Sequence, residues 1–376
     1  MKKRSSSRFR AGAMLLLFFA SAFLLPASRD GSTKLYLLSA VVPGIMLLLL
    51  LLPSRIFPLD RPSLCAVLPL CGFSLLATAA YSPDGTLAQG FRCVAALFFL
   101  AAGAVLIRAF RPSVPSAALP AFCGLGFLSC SIIFQDLPFS FIEGGMALVL
   151  FSAVAFLSLR LRLPALLAAL GALLLLLLQR DYGSAAVWGI SCVLLFWVAA
   201  DSPLWSVILF CSVGSLLGIF AGISPFSADP AGFSPLSRVA AMPLIPPETL
   251  PEVSPAFPPE DLFFMFGEQY GLIILLCAVL LVILFLIRGA SLAQHARKAF
   301  HAVLAFGVVL LIGLRMLLFL SSAAGLAPFS PGSFPFLTSS LSDLFSHFFL
   351  AGLLSGISAR NENDLEEDAR LAMLAR

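Results

Sequence analysis

Charge is scarce in this chain. Of 376 residues, 23 are Lys or Arg and 19 are Asp or Glu, 11% in all. A soluble domain of ordinary composition carries about a quarter. The deficit excludes a water-soluble globular fold, because too little polar surface remains to cover so apolar a chain. Histidine is scarce too, with three residues, and the eight cysteines show no Cys-x-x-Cys or Cys/His ligand spacing. A zinc site and a disulfide framework are therefore not expected, and the cysteines read as small buried apolar residues. The chain lacks a phosphate-binding P-loop and a dinucleotide fingerprint, so no nucleotide is implied. It lacks a Gly-x-Ser-x-Gly elbow, so a serine hydrolase is a poor reading. The net charge of +4 gives no reason to expect nucleic acid.

What is abundant is apolar sequence: 60% of residues are hydrophobic and the mean hydropathy is +1.03. Runs of roughly 20 apolar residues are the length of a membrane-spanning helix. In hydrocarbon the backbone must satisfy its own hydrogen bonds, which selects helices; continuous rather than alternating runs argue against a barrel. The expected fold is all-α, a polytopic transmembrane bundle. Twelve spans are read at 11–26, 35–52, 63–81, 87–107, 114–134, 140–159, 164–178, 184–200, 204–222, 262–287, 300–320 and 340–358. The start, Met1-Lys2-Lys3-Arg4 followed by apolar residues 11–25, imitates a signal peptide but is read as an uncleaved first span.

Charge placement tests this count. With the N-terminus inside, the inside segments up to residue 299 hold fourteen Lys and Arg residues, from Lys2 to Lys298. The outside loops hold Arg29, Lys34, Arg180 and Arg238. Such asymmetry places both termini in the cytoplasm. One outside loop is long. Residues 223–261 contain ten prolines and the acids Asp229, Glu248, Glu252, Glu260 and Asp261. Proline excludes a regular helix and lowers the entropy of the free loop, which suits an ordered cap over the outer membrane face. The tail, 361–376, reads as a short amphipathic cytoplasmic helix.

Two polar breaks carry the chemistry. The first is Gln179-Arg180-Asp181-Tyr182-Gly183-Ser184-Ala185. An ionisable group at a membrane edge is costly and marks function by default. Asp181 also stands where a carboxylate caps the following helix. The second is Glu260-Asp261, at the end of the long loop and the start of a span. These acids either favour the positive end of that helix or reach a lipid-linked headgroup. Glu268 lies about two turns further on, where burial without a partner would be costly. Weaker candidates inside spans are Glu143, Arg92, Arg315, Asp343 and His347. The last two are spaced i, i+4 and could pair along one helix.

These residues resemble those of a known family. Leu178-Gln179-Arg180-Asp181-Tyr182-Gly183-Ser184-Ala185 is similar to the Leu-Gln-Pro-Asp-Leu-Gly-Thr-Ala signature of the SEDS proteins (FtsW, RodA and SpoVE). Glu260/Asp261 through Gly267-Glu268-Gln269-Tyr270-Gly271 resembles the family's Thr-Asp-Phe-Ile-Phe…Gly-Glu-Glu-Leu-Gly. Gly325-Leu326-Ala327-Pro328, Phe334-Pro335-Phe336-Leu337-Thr338 and Phe139-Ser140-Phe141…Glu143 follow the family pattern in the same order. The resemblance covers about 138–360. It divides the chain into N-terminal helices 1–137, a SEDS-like core 138–360 and the tail 361–376.

The resemblance implies polymerisation of lipid II, an undecaprenyl-pyrophosphate-linked sugar, at the outer face of a bacterial inner membrane. It also implies a class B penicillin-binding protein as partner. The family's catalytic aspartate falls on Asp261 with one deletion, or on Glu260 without a gap. The carboxylate would take a proton from the acceptor sugar hydroxyl as pyrophosphate leaves. Arg180, Arg238 and Arg315 are the cations available to offset the leaving charge, a divalent cation could assist, and Asp181 and Glu268 join them as binding candidates. There are departures. Met146 stands where the family has lysine, a family Gln and Asn become Arg315 and Phe319, and prolines replace a glycine-rich loop end. A non-catalytic scaffold of a cell-wall complex and a lipid-linked sugar flippase are the rival readings.

Overall fold

The computed structural model describes residues 17, 19–22, 24, 33–51, 60–81, 83–134, 141–200, 202–223, 239, 242–244, 262–327 and 332–374. Twelve helices have defined bounds: α1 Thr33–Leu51, α2 Arg61–Tyr81, α3 Pro83–Ala109, α4 Val114–Ile133, α5 Ile142–Ser158, α6 Arg162–Leu178, α7 Tyr182–Ala199, α8 Pro203–Ile223, α9 Leu262–Tyr270, α10 Leu272–His295, α11 Ala299–Ala323 and α12 Leu341–Leu374. No strand is present among the described residues; one isolated bridge joins Phe334 and Leu337. Eight of the helices are long and apolar enough to cross a membrane, and 36–46, 142–158 and 162–178 are shorter apolar helices. Every span read from 35 to 358 except 262–287 coincides with one helix. The first span lies largely outside the described residues, as does most of loop 223–261, including Arg238, Glu260 and Asp261.

Two expectations need correction. The run 262–287 is two helices, not one. Gly271, at φ 84° and ψ 161°, separates α9 from α10. Only glycine adopts that backbone cheaply. The break frees the first N–H groups of α10, and the returning loop segment answers them. Leu272 N–H donates to the Pro243 carbonyl at 2.9 Å and Ile273 N–H to that of Leu244. Met242 packs over Gly267 beside them. The second correction concerns the tail. Helix α12 runs unbroken to Leu374, because neither Gly nor Pro interrupts residues 357–374.

Packing follows small residues. Helix α12 makes its most extensive contact with α3, where Gly352 faces the Leu100 carbonyl and Gly103 faces that of Phe349. Any β-carbon at Gly352 would meet backbone, so the glycine sets the helix separation. The two ends of the bundle each carry an ionic cluster. At one end Asp60 caps α2 through Ser63 N–H at 3.1 Å. It also accepts two bonds from Arg288 at 2.8 and 3.1 Å and one from Ser358 at 2.8 Å. Three helices, α2, α10 and α12, are thereby tied together.

Burial alone would raise the Asp60 pKa. Its bonds to Arg288, Ser63 and Ser358, with the nearby positive charge, outweigh that and hold it below the ordinary 3.8. A depressed carboxylate contributes stability above its unfolded pKa and loses it as pH falls through the folded value. Asp60→Asn is therefore expected to lower the unfolding temperature at neutral pH. Its difference from wild type should shrink below about pH 4. Thermal scans of both proteins across pH check this; a gap that persists in acid would be the contrary result.

Candidate functional site

The opposite end of the bundle gathers the residues singled out by sequence. It begins with the turn between α6 and α7. The Arg180 N–H donates to the Leu177 carbonyl and the Asp181 N–H to that of Leu176, which closes α6. Arg180 sits in the left-handed region, at φ 60°, as such a stop requires. Its side chain is exposed. Asp181 then starts the next helix, its Oδ1 accepting from Ser184 N–H at 2.9 Å. Burial pushes the Asp181 carboxyl up, against its bonds to Ser184, and the negative charge of Asp343 adds to the rise.

The second component is the connection from α11 to α12. Residues Ser333 to Thr338 are all buried, although none is helical. Irregular backbone at such depth needs partners from the surrounding protein. Gln89 Nε2 donates to the Thr338 carbonyl at 3.0 Å, with Ser74 Oγ beside it at 3.3 Å. Arg92 donates to the Ser339 carbonyl at 2.9 Å. Arg315 Nε donates to the Ser333 carbonyl at 3.3 Å. Phe334 and Phe336 plug the turn into the bundle. Phe334 stacks on Phe263 with ring centroids 4.6 Å apart, and Phe336 contacts Phe285, Phe348 and His347.

The third component is ionic. Arg315, from α11, forms an ion pair with Glu143 in the first turn of α5. Its other nitrogen lies 3.9 Å from Asp343 Oδ2, which also accepts from Ser333 Oγ at 2.5 Å. Glu143 and Arg315 are each 4% exposed and Asp343 is 9%. Two carboxylates thus share one guanidinium, with the Asp181 carboxyl close enough to be felt. Charges this deep are held because they are paired and hydrogen-bonded. The pairing along α12 from Asp343 to His347 does not form. Asp343 turns to Ser333 and Arg315, whereas His347 lies 1% exposed with no hydrogen-bond partner among the described residues at either ring nitrogen.

Of the residues expected at a site, the fold brings Asp181 and Arg315 together with Glu143 and Asp343. Arg180 stands on the exposed side of the same turn. Glu268 is half-buried on α9, just before the Gly271 break. Helix α9 starts at Leu262, and its Phe263 touches the plug through Phe319 and Phe334. Arg238, Glu260 and Asp261 lie outside the described residues. Ser74, Gln89 and Ser333 were not singled out by sequence. The signal for Gln89 was an amide within an apolar run; Ser74 and Ser333 gave none, because serine is common in such runs. Among the described residues no group of three or more His, Cys, Asp or Glu side chains is arranged to hold a metal ion.

The Asp181 cap predicts a graded response. Losing it costs about 1 kcal/mol. Asp181→Asn keeps an acceptor for Ser184 and is expected to fold as wild type does. Asp181→Ala is expected to lower the yield of folded protein, read by size-exclusion of a fluorescent fusion. Equal yields for the two variants would contradict a capping role.

Comparison with known proteins bears on this arrangement. The family model for the cell cycle proteins FtsW, RodA and SpoVE matches residues 248–363, from the end of the long loop into α12. No curated protein matches the chain in sequence. Among solved structures, one chain of a peptidoglycan synthase complex that coordinates polymerization and crosslinking superimposes with a TM-score of 0.60. The two are 18% identical over 80% of this chain and 98% of that one. The rod shape determining protein RodA of Thermus thermophilus matches with a TM-score of 0.56 and 18% identity, over 80% of this chain and 97% of RodA. A variant of that RodA with one aspartate changed to alanine gives 0.53 and 17%, with the same coverage. Identities this low show a shared fold, and the family match adds the sequence of the α9–α12 region. Together they show that this polytopic membrane protein has the fold of RodA and that its residues 248–363 match the family of the cell cycle proteins FtsW, RodA and SpoVE.

Proposed function

We propose that this protein is a divergent SEDS protein and polymerises lipid II into glycan strands at the bundle end that carries Asp181, Arg315 and Asp343. In this reading that end faces outward from a bacterial inner membrane and both termini are cytoplasmic, as the charge asymmetry of the loops requires. The observation that carries the proposal is the placement of α9. This helix follows Glu260-Asp261 directly in sequence, and Phe263 packs on Phe334 of the plug that Asp343 and Arg315 hold. A carboxylate entering α9 would work beside a rigid wall at the membrane edge, where a lipid-linked headgroup sits.

The chemistry asks for a base and for positive charge. Asp261, with Glu260 as the alternative, would accept the proton of the acceptor hydroxyl as it attacks the donor sugar and the pyrophosphate leaves. Arg180, exposed on its turn, is a cation that could meet the leaving group, and Arg238, outside the described residues, is the other candidate. Arg315 is committed to Glu143, Asp343 and the Ser333 carbonyl, so it supports the site from within. A class B penicillin-binding protein is the proposed partner, since crosslinking must follow polymerisation. The similar chain from a peptidoglycan synthase complex supports that pairing.

The commitment of Arg315 also favours a second reading. A cation spent on internal pairs suits a scaffold that keeps the fold without the reaction. Incubating the purified protein with labelled lipid II, alone and with its penicillin-binding partner, separates the two. Glycan ladders are expected when the partner is present. A protein that binds the partner yet makes no polymer would be the scaffold.

A further inference from the structure

We propose that the cavity between α1, α2 and α3 is a lipid site that holds one acyl chain of a bilayer phospholipid. The cavity measures about 210 Å³ and lies outside the stretch that matches the family model. Its floor is closed, since Val42, Leu68 and Leu75 are buried. Its rim is open, since Val41, Leu87 and Phe91 are 41%, 52% and 76% exposed. In a membrane such a rim faces hydrocarbon, so the cavity is continuous with the bilayer interior.

Polarity decides what enters. Among the lining residues only Thr86, Cys71 and Cys93 carry a polar side-chain group. A buried water needs two to four polar partners, and apolar cavities stay dry. An unfilled cavity would forfeit the dispersion contacts of its walls. Hydrocarbon meets both conditions. Size decides which kind. The lining runs along α3 from Thr86 to Leu97, about 16 Å at the rise of a helix. That is about half of the 30 Å hydrocarbon core, the depth of one leaflet. A cavity of about 150 Å³ admits benzene, so this one takes a slender, unbranched chain segment. An isoprenoid, with its recurring methyl branches, is the bulkier guest.

Gly90 is an independent sign that the space is kept open. Glycine within a helix is destabilising relative to alanine. Gly103 on the same helix has a packing reason, because a β-carbon there would meet the Phe349 carbonyl. A β-carbon at Gly90 would meet the Leu75 side chain at 3.8 Å, an ordinary contact, and no other described atom within 4 Å. What the missing side chain leaves open is the cavity it lines. Gln89 and Arg92, which hold the Thr338 and Ser339 carbonyls, belong to the same stretch of α3. A chain in the cavity therefore braces the helix segment that holds the plug.

The test places the full chain in nanodiscs containing a phosphatidylglycerol with a diazirine midway along one acyl chain. After illumination, labelled residues are mapped by mass spectrometry. Label is expected at the buried Val42 and Leu68 as well as at exposed positions such as Phe210 on α8. Gly90→Leu, which fills the cavity, is expected to lower the label at Val42 and Leu68 several-fold and to leave Phe210 unchanged. Val41→Trp narrows the rim from α1 and is expected to do the same; it serves alone if thermal unfolding shows Gly90→Leu misfolded. Label confined to exposed positions, or buried label unchanged in the folded variants, would overturn the site. Loss of the buried label on adding undecaprenyl phosphate would give the cavity to an isoprenoid and overturn the acyl chain.

Discussion

Arg315→Met is expected to prevent the protein from accumulating in a folded state. The change removes the guanidinium shared by Glu143 and Asp343, both almost wholly buried. Breaking a buried pair by deleting one partner costs about 3–5 kcal/mol, because the remaining charge has no solvent to turn to. Whole domains are stable by only about 5–15 kcal/mol. The loss also releases the Ser333 carbonyl, a support of the buried plug. A compensated variant sharpens the test. Arg315→Met combined with Glu143→Gln and Asp343→Asn has no stranded charge and should recover much of the folded yield. Size-exclusion and thermal unfolding of the detergent-solubilised proteins are the measurements. If Arg315→Met alone melts like wild type, the ionic cluster does not hold this end of the bundle together.

The second large effect is on activity. Replacing both Glu260 and Asp261 by alanine is expected to abolish lipid II polymerisation while leaving the amount and melting temperature of the protein unchanged. A positioned general base contributes about 10²–10⁴ in rate, so the loss should be of that order. Asp261→Ala alone should account for most of it, since Asp261-Leu262-Phe263-Phe264 best reproduces the family's Asp-Phe-Ile-Phe. A larger loss in Glu260→Ala would move the role to Glu260. A double variant that polymerises at the wild-type rate would remove both residues from the mechanism.

The helices were legible because hydropathy and backbone satisfaction act locally: a run of apolar residues in lipid has no choice but to be a helix. Glycine told less. Gly271 sits within an apolar run that reads as one span, and the break there depends on Pro243 and Leu244 returning to meet the exposed N–H groups. Spacing misled at His347. The i, i+4 rule sets Asp343 beside it, but Ser333 and Arg315 offered that carboxylate a stronger hydroxyl bond and a full positive charge.

What the sequence determined by itself was the class of molecule, its all-helical spans and the cap at Asp181. Each follows from composition or from neighbours in the chain. Only the tertiary structure decided that Glu143 and Arg315 meet, that Gln89 and Arg92 hold the 333–339 plug, and that Asp60 ties three helices. Their partners come from helices far apart in the chain. Burial decides such pairings, because a charge withdrawn from water must take whichever opposite group the packing brings within reach.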